Sequence, residues 1–99
     1  MNGVDAIRHE RDRQIAKGWT LEHDRDHYTG EMVQAAIVYA YYPGNSQMEA
    51  IALRSMWPWE IERLDKIKAM SKPERLAKAG ALLAAEIDRE QATIDEGAG

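Results

Sequence analysis

The chain contains no cysteine and no phenylalanine among its 99 residues. Without cysteine there is no disulfide and no thiolate metal ligand, which suits a reducing compartment. No apolar run approaches the ~20 residues that cross a bilayer. The longest such run, residues 35–42, is far shorter. The opening MNGVDAIRHERDR carries charges where a secretory leader needs an apolar core. No stretch alternates apolar and polar residues with strand period, and no Asn-Gly turn joins two such stretches. Basic character is also missing. The net charge is −4 and the pI is near 5.3, which argues against a general nucleic-acid binder. These absences lead to the expectation of a cytoplasmic, all-α protein.

What is present is helical. The longest uninterrupted pattern is 74–94, ERLAKAGALLAAEIDREQATI. Leu76, Gly80, Leu83, Ile87 and Ile94 recur on one face of such a helix. Alanines crowd its first half, raising helix propensity and allowing close approach of a neighbour. Ser71 and Glu74 form an S-x-x-E capping box, with Pro73 in the first turn. Residues 4–17 predict a first helix with a narrow stripe of Val4, Ile7, the Arg11 stem, Ile15 and Ala16. Gly18 is its expected stop. Residues 31–42 predict a second helix, with Met32, Ala35, Ala36, Tyr39 and Ala40 inward and Thr29 as N-cap. Pro43-Gly44-Asn45 ends it. Ser46 and Glu49 form another capping box before a short helix over 46–55. Trp57-Pro58-Trp59 breaks the pattern, and Pro58 opens a helix to Met70 whose stripe is Ile61, Leu64 and Ile67. The expectation is one domain over 1–94, a bundle of four to five helices that self-associates, with a disordered tail at 95–99.

Three constellations carry chemistry. Arg8, Arg11 and Arg13 lie on the first helix, with Trp19 at its end and His23, His27 and Tyr28 in the polar connector. Guanidinium forks match phosphate oxygens, aromatic faces stack on bases, and imidazoles bond ribose or base. The set suits a small phosphorylated ligand. The competing reading pairs these arginines with Glu10 and Asp12 and makes Trp19 a core anchor. The second constellation is His23, His27 and Glu31 at i, i+4, i+8, which on a continuous helix would share one face and suit a divalent metal. Gly30 interrupts that helix. Glu31 with Glu86 offers a further carboxylate set. MazG-type all-α pyrophosphohydrolases hold magnesium with E-x-x-E and E-x-x-D, and this chain has Glu31-Met-Val-Gln34 and Glu86-Ile-Asp-Arg89. Each pair lacks one acid, which is thin for magnesium. The third is Trp57, Pro58 and Trp59, either core plugs or a contact surface. Gly80 is the expected point of close approach between helices. No Cys, G-x-S-x-G or Gly-rich phosphate loop points to nucleophilic catalysis or a P-loop.

The stretches ERDRQIAKGWTLEHDRDHYTGEMVQAAIVYA, WPW and RLAKAGALLAAEIDR resemble a group of short proteins encoded by bacteriophages and prophages. Their recurring pattern is ERxRQI, GWTxEHDxxH, GEL, AA, YA, a WPW-like patch and a closing LVKAGALIxAEIxR. The likeness covers about 80 of the 99 residues. Met32 stands where the pattern has Leu, and a further Trp-Lys-Pro after the WPW is missing. The resemblance implies a phage context inside an infected bacterium. There the ligand-binding set would serve a non-catalytic sponge that sequesters an immune signalling nucleotide. The alternatives are a metal-dependent MazG-like hydrolase using His23, His27, Glu31 and Glu86, and an inhibitor that binds a host protein through Trp57 and Trp59.

Overall fold

A computed structural model describes residues 1–18 and 30–98. It is all-α. In order come α1 (Gly3–Ala16), α2 (Glu31–Tyr41), α3 (Gln47–Met56), α4 (Ile61–Ile67) and α5 (Lys72–Ala98). The ends follow the local chemistry. Asn2 caps α1 by accepting the Asp5 amide at 2.8 Å. Gly18, with φ +101°, turns the chain out of α1 in a conformation that side-chain-bearing residues avoid. The Ser46 hydroxyl accepts from the Glu49 amide at 3.1 Å, and the Ser71 hydroxyl from the Glu74 amide at 3.3 Å. Both S-x-x-E signals thus mark real helix starts. Gly30 occupies the N-cap position of α2, and Thr29 lies outside the described residues.

α5, 27 residues long, spans about 40 Å at 1.5 Å per residue and is the spine. α2 runs against its first half, antiparallel. The Arg75 guanidinium near the start of α5 donates to the Tyr39 and Tyr42 carbonyls at the end of α2. Those donations replace helix bonds that the last carbonyls of α2 lack. Met32, Ala35, Ala36 and Val38 of α2 meet Ala79, Leu82 and Ala85 of α5 in one core. Leu53, Trp57, Leu64 and Ile67 close that core from α3, the WPW turn and α4. α1 packs chiefly on α5, where Ile7 lies over Gly80.

Several expectations are corrected. The buried face of α5 is Ala77, Ala79, Ala81, Leu82, Ala85 and Arg89; of the expected stripe Gly80 packs, under Ile7, while Leu76 and Leu83 are exposed. Ile87 and Ile94 of that stripe remain 66% and 61% exposed. The small face wins because alanine lets α1 and α2 approach closely, and close approach buries backbone as well as side chains. On α1 the packed residues are Ile7, Glu10, Arg11 and Gln14, whereas Val4, Ile15 and Ala16 are exposed. α4 begins at Ile61, later than Pro58. The indole N–H of Trp57 donates to the Glu60 carbonyl at 2.9 Å, and this holds the WPW turn outside the helix. α5 continues helically through 95–98, where composition suggested a tail.

Candidate functional site

Between the C-terminal half of α1 and the short α4 lies a cleft of about 310 Å³. α1 contributes Glu10, Arg13 and Gln14 to its lining and its C-cap Lys17 a fourth residue, at spacings of three and four that put them on adjoining faces. α4 contributes Arg63 and Lys66, again three apart, with Met70 just beyond. Lys78 and Leu82 of α5 and Tyr39 of α2 complete the wall. Five cations therefore surround one cleft, against one carboxylate, in a chain whose net charge is −4.

The carboxylate is central to the wiring. Glu10 Oε2 accepts from Lys78 Nζ at 3.0 Å, and its Oε1 accepts from Arg13 Nη1 at 2.7 Å. The Glu10 side chain is only 10% exposed and that of Lys78 17%. Burial alone would push the Glu10 carboxyl up; Lys78 and Arg13 together outweigh it and hold the group below its usual value. Arg63 makes a long pair with Glu60 at 4.0 Å, its side chain 53% exposed. Lys17 and Lys66 are exposed and make no ion pair among the described residues. Gln14 Oε1 is buried with no hydrogen-bond partner among them.

Tyr39 gives the cleft its aromatic wall. Its ring meets Trp57 edge-on at 5.7 Å and 75°, and Trp57 meets Trp59 at 5.4 Å and 84°. Burial raises the Tyr39 hydroxyl above its ordinary value, the Arg63 charge opposes this and Glu10 adds to it. The hydroxyl is a neutral donor and acceptor at pH 7.

Of the residues singled out in the sequence, Arg13 lines this cleft. Arg8 is exposed and does not. Arg11 pairs with Asp88 at 3.8 Å. Trp19, His23, His27 and Tyr28 lie outside the described residues. The pairing of an arginine with Glu10 is realised by Arg13. Glu86 holds Arg89 through both carboxylate oxygens, at 3.1 and 2.7 Å, so it is committed to a buried guanidinium. Among the described residues no group of three His, Cys, Asp or Glu side chains could hold a metal. Trp57 belongs to the core, Trp59 is packed against it, and Gly80 is covered by Ile7.

Sequence reasoning missed Lys17, Arg63, Lys66, Lys78, Gln14 and Tyr39 as cleft residues. Lys78 alone had a signal, a charge set within the small-residue run of α5. A second cavity, of about 330 Å³, is lined by Tyr42, Pro43, Ile67, Lys68, Met70 and Arg75. Its Arg75 is already bonded to carbonyls. No family model matches the chain, and neither a curated protein nor a solved structure does.

Proposed function

We propose that this protein binds a small phosphorylated ligand of nucleotide type in the α1–α4 cleft and holds it without turning it over. The observation that carries this is the convergence of Arg13, Lys17, Arg63, Lys66 and Lys78 on one cavity of an acidic chain. Cations that repel one another gather where an anion repays the repulsion. A volume of about 310 Å³ is at the lower end for small-molecule sites and suits a phosphate chain with part of its nucleoside. The Tyr39 ring and hydroxyl and the Gln14 carboxamide supply stacking and hydrogen bonding beside the charges. The resemblance to phage-encoded proteins makes a bacterial signalling nucleotide the first ligand to try, in the cytoplasm of an infected cell. Self-association and a sponge role belong to the same proposal.

The experiment is a thermal-shift panel of linear and cyclic nucleotides at low salt, repeated with the double variant Lys17→Glu/Lys66→Glu. A ligand at one hundred times its Kd stabilises by about 2.7 kcal/mol, a rise on the order of 10–20 °C for a domain this small. The variant should lose that shift, and mass spectrometry of the released ligand should find it intact. A flat panel would refute the reading, as would a shift that the variant keeps.

A further inference from the structure

We propose that Glu10 is the specificity-determining residue of this cleft, an internal counter-anion that admits chains of phosphates and turns single phosphates away. The role rests on the ligand reading above. Glu10 engages two of the cleft's cations, the largely buried Lys78 at 3.0 Å and the half-exposed Arg13 at 2.7 Å. A phosphate that passes the rim finds Arg13 and Lys78 already engaged by that carboxylate. The remaining cations, Lys17, Arg63 and Lys66, stand at the exposed rim on two facing helices.

A single phosphate gains little from any one screened cation. Its charge also suffers the repulsion of Glu10. A chain of two or three phosphates spreads its charge over Lys17, Arg63 and Lys66 at once. It can then share Arg13 and Lys78 with Glu10 rather than displace it. With Glu10 ionised, the five cations leave four positive charges uncompensated by the lining, comparable to the charge of a triphosphate. Removing the carboxylate frees Arg13 and Lys78 for any anion. Specificity here comes from a repulsive element as much as from attraction.

The test measures binding of inorganic orthophosphate, pyrophosphate and tripolyphosphate to the full chain by calorimetry, in wild type and Glu10→Gln. The wild type should bind tripolyphosphate at least a hundredfold tighter than orthophosphate. Glu10→Gln should tighten orthophosphate about tenfold or more and shrink that ratio. If both anions bind the wild type within threefold of each other, the proposal fails, even where the variant does not fold. If Glu10→Gln binds all three as the wild type does, or more weakly, Glu10 is structural or a direct ligand contact and the proposal fails while the cleft remains a binding site. If neither protein binds any of the three, the proposal and the ligand reading fall together.

Discussion

Consider Gly80→Ala. In an exposed helix interior this exchange stabilises by about 1 kcal/mol, because alanine loses less backbone entropy. At this position the new methyl would sit 2.6 Å from Ile7 Cδ1 and 2.7 Å from Ile7 Cγ1. Carbon atoms in contact prefer about 3.5–4.0 Å, so something must shift by about 1 Å. The Cδ1 methyl can swing aside. Cγ1 cannot do so alone, since it hangs directly from the branched carbon of a side chain with one favoured χ1 in a helix. Either Ile7 leaves its rotamer, at about 0.5–1.5 kcal/mol, or α1 lifts from α5, at about 1–3 kcal/mol for overpacking. Set against the propensity gain, the net runs from near zero to a loss of about 2 kcal/mol. Urea unfolding followed by far-ultraviolet circular dichroism measures it. The partner variant Ile7→Ala makes room, so the double variant should exceed the sum of the singles by about 1 kcal/mol. Stabilisation by the full propensity gain, or additivity of the two singles, would show that Ile7 does not rest on Gly80 and that α1 docks elsewhere.

Two further outcomes concern stability. Glu10 is held below its usual carboxyl value of 4.5, so the stability it contributes is present above that unfolded value and is lost as pH falls through the lower folded one. The gap in stability between wild type and Glu10→Gln, measured by urea titration, should therefore narrow on acidification below about pH 4.5; a gap that stays constant or widens would contradict the Lys78 and Arg13 pairing. Trp57→Ala removes a buried side chain that donates to Glu60 and braces Tyr39, and should cost about 3–5 kcal/mol. Trp57→Phe, which keeps an aromatic wall, should cost much less, and equal losses would show that the ring packing against Tyr39 is not what matters.

Helices and their ends were legible because they are set by neighbours in sequence. Ser46, Ser71 and Gly18 act within four residues of themselves, and each does what its local pattern says. Which face of a helix turns inward is a different matter. Leu76, Leu83, Ile87 and Ile94 make the more hydrophobic stripe of α5, yet the alanine face packs. That preference depends on the shapes of α1 and α2, which no window within α5 contains. The cleft was legible only through Arg13. Of its other cations, Lys17 ends α1 while Arg63, Lys66 and Lys78 come from α4 and α5, and nothing local says that Arg63 and Lys66 face Arg13 and Lys17. Glu10 was legible as a partner for an arginine on the charged face, as was Asp12. Its burial and its bond to Lys78 set it apart, and both are tertiary properties.

The first helix is fastened chiefly to α5 alone, by Ile7 over Gly80 and by the Glu10–Lys78 and Arg11–Asp88 ion pairs. Its amides should therefore be among the earliest to exchange with deuterium in the free protein. An occupant of the cleft that gripped Arg13 and Lys17 on one side and Arg63 and Lys66 on the other would staple that helix to α4. Those amides would then open only when the whole domain does. A helix held from one side would become the part that registers whether the cleft is filled.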